Sequence, residues 1–418
     1  MKILFILGAY KPRASANGLC SSNIIECLKN EGHSVTVLAN HSLDCTDYTL
    51  EDGVAIYRVR QRIYIRLREY SEVISKSKPL AGRVAACLAN IINKLKLILS
   101  APFWPIISYR TNKRFSKKAK ELQKCNDYDV VVSVYTPIEA LLAGYEVKKE
   151  FPQVKFIPYF LDSLSGGYGP RLFSEKRIME RGLKIEKKIY EVADAIVLMK
   201  SSEEHQKKYN CQYVSKMKFL DIPMFVKPKN IELRCPTEDK LKCCKMLFVG
   251  SIARSIRSPK TLIDALMCIK REDIICEFVG NIDCIDDFAP LKEKMGNRLV
   301  FTTFMHHDKL VEKIVDADVL INIGNRLTTM VPSKIFEYMS YLKPIISTYD
   351  IENEPSAIYL SAYPASLLIS GSAAAEDNAL MIMEFIQRVE KMEIDYDEIE
   401  ERFYLNTPKA FDEVIDSL

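Results

Sequence analysis

A lysine and a glutamate lie three residues apart at the start of a predicted helix that follows a buried strand. The apolar run Asp318–Ile323 predicts the strand, Gly324–Val331 a loop, and Pro332–Ser333 the beginning of the helix that carries Lys334 and Glu337. Ligands of open parallel sheets bind where strands end. The glutamate could accept hydrogen bonds from ribose hydroxyls while the lysine pairs with phosphate. A surface ion pair favoured by the helix dipole is the alternative.

A cluster of cations follows another predicted strand. Lys245–Val249 forms that strand, Gly250 follows it, and Ser258 and Pro259 predict the start of the next helix. Helix amino termini attract anions, so a phosphate group fits here. A solvated basic loop is the alternative interpretation. The cations on the approach are Arg254, Arg257 and Lys260.

The first half of the chain offers a second set of polar residues near predicted strand ends. The loop Gly8–Gly18 contains Asn17 and Gly18, and it lacks the Gly-x-Gly-x-x-Gly pattern of dinucleotide-binding enzymes. Asp162 ends the predicted strand Val154–Leu161. It could orient or deprotonate an acceptor hydroxyl, or it could cap the following turn.

The stretch VPSKIFEYMSYLKPII resembles the donor-site segment of GT-B glycosyltransferases, in particular glycosyltransferase family 4. The resemblance implies that Glu337 holds the ribose of a sugar nucleotide and that Asn17-Gly18 matches the family's acceptor-side loop. Thr329 stands where the family often has an earlier glutamate, and Leu342 replaces a glycine of the following turn. The resemblance implies a donor-side role for six further residues: Gly250, Arg254, Arg257, Lys260, Ser333 and Lys334.

The resemblance also implies an activity. We expect transfer of a sugar, of the hexosyl type and with retention, from a nucleoside-diphosphate sugar to a glycan or polyprenyl-linked acceptor in cell-surface polysaccharide biosynthesis. Arg257 and Lys334 would stabilise the leaving diphosphate and Asp162 would act on the acceptor. No metal or other cofactor is expected, and no Asp-x-Asp clamp is present. A sugar-nucleotide 2-epimerase of the same fold and a catalytically inactive binding subunit are the alternatives.

Alternating strands and helices in both halves predict an α/β protein. We expect the GT-B fold, two Rossmann-like, doubly wound parallel-sheet domains facing across a cleft. The predicted domains are 1–223, with a basic amphipathic insertion at about 58–124, and 224–395. A helix over 396–418 is expected to cross back to the first domain.

Composition favours a cytoplasmic protein. The 12 cysteines form no Cys-x-x-Cys pair, which is typical of reduced thiols rather than of disulfides or a zinc site. The net charge of +4 conceals a strong asymmetry. From Val54 to Lys124 there are 17 Lys and Arg residues and 3 acidic ones, and so a local charge of +14. This segment is expected to meet an anionic partner, and we expect no nucleic acid.

An apolar stripe at helical spacing runs through the same basic segment. Its residues are Leu80, Val84, Leu88, Ile91, Ile92, Leu95, Ile98 and Leu99, and Phe103-Trp104 follows. We expect residues 80–110 to lie on the inner face of the cell membrane, peripherally, and to present a lipid-linked acceptor. Packing of the stripe on the domain's own core is the alternative.

Overall fold

The computed structural model describes residues 1–43, 45–105, 108–167, 169, 173–229, 243–254, 256–303, 305, 307–326 and 331–418. The chain divides into two compact units. One comprises Met1–Pro223 and Leu405–Leu418, and the other Met224–Tyr404. Each unit is built around a parallel sheet.

The first unit contains a sheet with the strand order β3-β4-β2-β1-β5-β6-β7-β8, in which only β3 and β4 pair antiparallel. Buried apolar side chains such as those of Phe5, Val131 and Phe156 fill both faces of its centre, as expected of parallel strands covered by helices. The strands are β1 Lys2–Ile6, β2 Ser34–Asn40, β3 Tyr48–Glu51, β4 Val54–Val59, β5 Val130–Tyr135, β6 Lys155–Phe160, β7 Ile196–Met199 and β8 Met217–Leu220.

Four of the eight described α-helices of the first unit connect neighbouring parallel strands, and three form the insertion between β4 and β5. Short 3-10 helices lie at Ala101–Phe103, Lys200–Ser202 and Cys211–Lys216. The α-helices are α1 Ala16–Asn30, α2 Ile63–Ser75, α3 Pro79–Ser100, α4 Tyr109–Asn126, α5 Ile138–Glu150, α6 Glu175–Val192, α7 Glu203–Tyr209 and, after the second unit, α15 Lys409–Asp416. The insertion therefore consists of α2, α3 and α4.

The second unit contains a fully parallel sheet with the order β11-β10-β9-β12-β13-β14. Its strands are β9 Cys244–Val249, β10 Ile274–Val279, β11 Leu299–Thr302, β12 Val319–Ile323, β13 Ile345–Tyr349 and β14 Ser366–Ser370. Its α-helices are α8 Lys260–Cys268, α9 Ala289–Met295, α10 His307–Asp316, α11 Lys334–Ser340, α12 Pro355–Ser361, α13 Ala375–Val389 and α14 Tyr396–Arg402. Among its described residues, 3-10 helices lie at Ile285–Phe288 and Gly296–Arg298, and a further one, Tyr404–Asn406, spans the boundary with the first unit.

Both sheets reverse their strand order next to their first strand. In the first unit the chain runs from β1 to β2 on one side and later adds β5 on the other. In the second unit β9 lies between β10 and β12. Such switch points open a crevice at the carboxyl ends of the strands, where ligands of doubly wound sheets bind.

The carboxyl-terminal region differs from the sequence prediction. The predicted single helix over 396–418 is two helices, α14 and α15, separated by a 3-10 turn and Pro408. The return to the first unit begins at Leu405 rather than at residue 396, and α14 belongs to the second unit. Proline lacks an amide hydrogen and therefore starts a helix more readily than it continues one.

Candidate functional site

A cavity of about 320 Å³ opens at the switch point of the second sheet. Its wall is formed by the end of β9, the loop after it, the loop after β12 and the start of α11. The described residues that line it are Phe248, Val249, Gly250, Ser251, Ala253, Ile256, Arg257, Ile321, Asn322, Asn325, Pro332, Ser333, Lys334 and Tyr338. Four of the predicted donor-side residues, Gly250, Arg257, Ser333 and Lys334, thus share one cavity.

Arg257 is held in this wall by two hydrogen bonds. Its Nε donates to Oδ1 of Asn325 at 2.8 Å, and a terminal nitrogen donates to the carbonyl of Ser251 at 3.3 Å. Partial burial lowers the pKa of the guanidinium, an effect that Tyr338 and Glu354 oppose. A cation that has lost part of its hydration interacts more strongly with an anion than one in bulk water.

The loop that carries Asn325 is itself fixed by a buried carboxylate. One carboxylate oxygen of Glu354 accepts a hydrogen bond from the backbone amide of Asn325 at 3.0 Å. The other oxygen accepts from the backbone amides of Ser356 and Ala357 at the start of α12. The side chain of Glu354 is buried. The orientation of Arg257 therefore depends on two further polar residues, Asn325 and Glu354, that are distant in sequence.

Lys334 and Glu337 form an ion pair on the first turns of α11, with Nζ 2.6 Å from Oε2. Both are partly buried, with 34% and 13% of their side chains exposed, so the pair is not freely solvated. The lysine lines the cavity, and the glutamate does not. Tyr341, which follows the last turn of α11, is buried. Burial, followed by the nearby Glu337 carboxylate, raises the pKa of Tyr341 to about 12.

Gly250 ends β9 with a φ of +146°, a conformation that side-chain-bearing residues rarely adopt. Its amide donates to the carbonyl of Val279 at 2.9 Å. At the end of the neighbouring strand, a Cβ on Gly280 would lie 1.8 Å from the Gly250 carbonyl oxygen. A glycine at position 280 therefore allows the ends of β9 and β10 to approach each other closely.

Tyr338 and Asn325 are site residues that the sequence prediction missed. The hydroxyl of Tyr338 accepts from the amide of Val249 at 3.1 Å and lies 3.3 Å from its carbonyl, so it ties α11 to the end of β9. Asn325 could have been predicted from the sequence, because it is a polar residue just after a buried strand. Tyr338 gave no such signal, because it is buried on the apolar face of its helix.

Of the predicted donor-side residues that the structure describes, three do not line this cavity: Glu337, Arg254 and Lys260. Arg254 pairs with Asp287 at 2.6 Å and Lys260 pairs with Asp264 at 2.5 Å, and both cations are largely exposed. Neither residue lines the cavity. The helix after this loop begins at Lys260, with Pro259 as its cap. Thr329 lies outside the described residues.

The switch point of the first sheet brings together the predicted acceptor-side residues. Asn17 Nδ2 donates to the Tyr135 carbonyl at 3.2 Å and to Asp162 Oδ2 at 3.4 Å. These residues lie at the start of α1, the end of β5 and just after β6. Gly18 is buried, and a Cβ there would lie 2.1 Å from the carbonyl of Ala9. Burial, reinforced by Asp162, raises the pKa of Tyr135.

His33 contacts the carboxyl-terminal helix. Its Nε2 lies 3.3 Å from Asp412 and 4.0 Å from Asp416 of α15. The three side chains are close enough to hold a metal ion. His33 directly precedes β2, and the closer pair, His33 and Asp412, fits a role in fixing α15. The described cysteines form no disulfide.

No protein-family model matches the chain, and no curated protein matches it. Solved structures do. The apo lipopolysaccharide outer core galactosyltransferase WaaB superposes with a TM-score of 0.55 at 15% identity and covers 100% of this chain and 99% of its own. HepE from Anabaena in complex with UDP gives 0.55 at 14% identity, with 100% of both chains covered.

A third similar structure, from Listeria monocytogenes, is assigned as a UDP-N-acetylglucosamine 2-epimerase. It gives a TM-score of 0.50 at 10% identity and covers 94% of this chain and 90% of its own. At these identities the similarity establishes architecture. The two parallel-sheet units, each with its switch point, have the Rossmann-like form of the GT-B fold.

Proposed function

We propose that the protein is a glycosyltransferase that moves a sugar from a nucleoside-diphosphate sugar to a glycan or lipid-linked acceptor, with retention at the anomeric carbon and without a metal. The cavity at the second switch point carries the proposal. It combines a partly desolvated arginine, a lysine and a glycine-ended strand on the GT-B fold. This set of groups suits a diphosphate.

The chemistry requires stabilisation of negative charge on the departing diphosphate. Arg257 is preorganised by Asn325, so it need not reorient as that charge grows. Lys334 uses one of its three donors on Glu337 and retains others for phosphate oxygens. Glu337 would accept from the ribose hydroxyls, and Ser333 and the backbone at Gly250 would complete the wall.

On the acceptor side, Asp162 would orient or deprotonate the attacking hydroxyl. Asn17 holds one of its carboxylate oxygens, and the Asp162 side chain remains exposed. We propose a position on the cytoplasmic face of the membrane because the insertion of the first unit is both basic and apolar. Assembly of a surface polysaccharide is proposed because similar structures include glycosyltransferases of lipopolysaccharide biosynthesis. HepE binds UDP and UDP-glucose, which makes uridine diphosphate sugars the first donors to test.

The epimerase remains a second candidate because a structure so assigned shares the fold. Epimerisation needs acid and base groups that converge on the sugar. The two cations on the lining, Arg257 and Lys334, favour a phosphate-binding wall over proton transfer. Donor incubated with enzyme alone separates the two, since only an epimerase would interconvert it.

The deciding experiment is a thermal-shift panel of nucleoside diphosphates followed by substitution of Glu337. The matching nucleotide should stabilise the protein by about 2.7 kcal/mol at 100 times its Kd. Glu337→Ala should abolish transfer and weaken nucleotide binding by about 1–3 kcal/mol through the lost ribose contacts. Turnover should persist in a chelator. Wild-type affinity and turnover in Glu337→Ala would refute the site, and absence of any nucleotide response would favour the inactive binding subunit.

A further inference from the structure

A second, larger cavity of about 840 Å³ lies within the insertion of the first unit. It is bounded by α2, the second half of α3, the 3-10 turn after it and the start of α4. Its volume is within the range of pockets that bury one small ligand. The residues that line it are Gln61, Arg62, Ile63, Tyr64, Ile92, Leu95, Lys96, Leu99, Ser100, Phe103, Ser108, Tyr109, Arg110, Thr111 and Arg114.

The apolar wall of this cavity is open to solvent. Leu99 and Phe103 are 74% and 70% exposed, and Ile63, Leu95 and Tyr109 are also exposed. Large apolar side chains in this arrangement are rare on a monomer surface unless they meet a partner. The wall continues along α3 as an exposed stripe that consists of Leu80, Val84, Leu88, Ile91, Leu95, Ile98 and Leu99.

The packing of α3 on α2 explains why the stripe faces outward. The buried residues of α3 are small: Gly82, Ala85 and Ala89. A Cβ on Gly82 would lie 1.9 Å from the hydroxyl of Ser75, so the helices touch along this small-residue face. The alternative that the stripe packs on the domain's own core is wrong for the residues described.

By length and composition alone, Pro79–Phe103 could cross a membrane, and 17% of its most apolar window is buried. Contacts within the first unit favour a surface position. Arg181 of α6 donates to the carbonyls of Pro102 and Trp104 at 2.6 and 3.4 Å, which fixes the end of the segment to the body of the unit. The small-residue face is meanwhile occupied by α2. The stripe is therefore available to apolar chains from one side.

Positive charge surrounds the same cavity. Four of its lining residues are cations, and none of the described lining residues is acidic. The positive charge of Arg62 is compensated by an ion pair with the buried Glu139. Lys96 lies over the ring of Tyr64, whose hydroxyl accepts from Arg62 at 3.2 Å, and no described carboxylate is within ion-pair distance of Lys96. The remaining cations are Arg110 and Arg114.

The insertion also contacts the loop that carries the acceptor-side residues. Arg13 in that loop pairs with Glu72 of α2 at 3.3 Å. Arg58, buried at the end of β4, donates to the carbonyl of Lys11 at 3.1 Å. A lipid held beside α2 and α3 would therefore lie on the same unit as Asn17 and Asp162 and next to their loop.

We propose that the cavity between α2, α3 and α4 binds a lipid phosphate with a single apolar chain, with the first part of the chain against Leu95, Leu99 and Phe103 and the phosphate on Arg62, Lys96, Arg110 and Arg114. The idea that this lipid carries the acceptor rests on the proposed function. Binding of the lipid in the cavity is independent of that function. An anion beside Lys96 replaces the hydration that the apolar wall removes. A neutral alcohol with the same chain would contact the apolar wall but would leave the cations without an anion.

Binding can be measured on the full-length protein through Trp104, the only tryptophan, which is partly buried beside Phe103. The probes are farnesyl phosphate below its critical micelle concentration, farnesol and inorganic phosphate. Farnesyl phosphate should shift the Trp104 emission and saturate. Farnesol should bind at least tenfold more weakly, and inorganic phosphate should leave the emission unchanged.

Lys96→Gln should weaken farnesyl phosphate binding about tenfold, and Lys96→Arg should retain it. Lys94→Gln is the matched control, since Lys94 is an exposed cation of the same helix that does not line the cavity. Equal affinity for farnesol and farnesyl phosphate, or equal losses in Lys94→Gln and Lys96→Gln, would overturn the proposal. Saturation by inorganic phosphate would show an anion site without a lipid chain and would overturn it as well.

Failure here is distinguishable from failure of the proposed function. Nucleotide stabilisation and the effect of Glu337→Ala report on the second unit, and farnesyl phosphate binding reports on the insertion. A protein that binds farnesyl phosphate without transferring sugar would contradict the transferase. A protein that transfers sugar to a soluble acceptor without binding farnesyl phosphate would contradict the lipid site.

Discussion

At the scale of single residues, the cations near the second switch point fall into two groups. Arg257 and Lys334 line the cavity, and the first is oriented by an amide side chain. Arg254 and Lys260 form exposed ion pairs with aspartates close by. Exposed ion pairs contribute little, and their partners already neutralise them. The structure thus divides a cluster that the sequence presented as one group.

This division predicts different effects of substitution. Arg257→Ala and Lys334→Ala should lower turnover at least tenfold. They should also weaken the binding of nucleoside diphosphates more than the binding of nucleosides, because the two cations are proposed to contact phosphate oxygens. Arg254→Ala and Lys260→Ala are the matched controls and should stay within about threefold of wild type, a difference of about 0.7 kcal/mol. Steady-state kinetics and calorimetry with both ligand types test this. Equal losses in all four variants would contradict this division and mean that the four cations act as one group.

Lys96 is predicted to destabilise the folded protein at neutral pH. Burial, followed by the charge of Arg62, lowers the pKa of Lys96 from 10.5 to about 8, although Glu139 opposes the shift. Between these values the unfolded chain binds more protons than the folded one, so the contribution of Lys96 to stability rises with pH across that window. Below pH 8 the lysine is charged in both states and the full cost is present.

Lys96→Met should therefore raise the free energy of unfolding at pH 7 by about 1 kcal/mol, a value already reduced for solvent screening of a partly exposed group. Urea unfolding of wild type and variant at pH 7 and pH 10 measures it. The stabilisation should shrink at pH 10, where folded wild type carries a neutral lysine. A stabilisation that does not change with pH would mean that packing of the methionine, not loss of charge, is responsible.

At the scale of elements, α15 completes the core of the first unit. Phe411 is buried, with its ring centroid 5.1 Å from that of Tyr159 and 6.2 Å from that of Phe5. Phe411→Ala should lower the free energy of unfolding of the first unit by about 3–5 kcal/mol, the usual cost of such a core truncation. Urea unfolding followed by circular dichroism measures this. Asp416→Ala, on the exposed side of α15, should change it by less than about 0.5 kcal/mol.

Buried strands were the elements most readily predicted. Continuous apolar runs predicted β9 and β12, because both faces of a parallel sheet are covered. No comparable pattern predicted α12 and β14, which are two short elements.

The site could be predicted only where local chemistry determines it. The strand–loop–helix pattern located Gly250, Ser333 and Lys334 at a strand end, as the structure has them. Which arginine faces the cavity is decided by Asn325, which is 68 residues from Arg257 in sequence. Such tertiary pairing has no periodicity from which it could be inferred, so Arg254 and Arg257 were equivalent before the structure was known.

At the scale of the whole molecule, charge and exposed apolar surface coincide in the insertion. The segment that carries a net charge of +14 contains α2, α3 and α4, and α3 bears the exposed stripe. Each basic residue near an anionic bilayer contributes about 1 kcal/mol, and the apolar stripe adds burial in the interfacial region. Neither feature alone would give stable binding, since the charge is screened by salt and the stripe is short.

The last prediction is that the full-length protein floats with anionic vesicles at low salt and floats less at high salt. Leu88→Glu should release it, because Leu88 lies on the exposed stripe but not in the α2–α3–α4 cavity. Ile358→Glu is the matched control, since Ile358 is 74% exposed on α12 of the second unit and should have no effect. Neutral vesicles should recruit less protein than anionic ones. Protein that stays at the bottom of the gradient with anionic vesicles at low salt would contradict membrane association and favour a soluble acceptor.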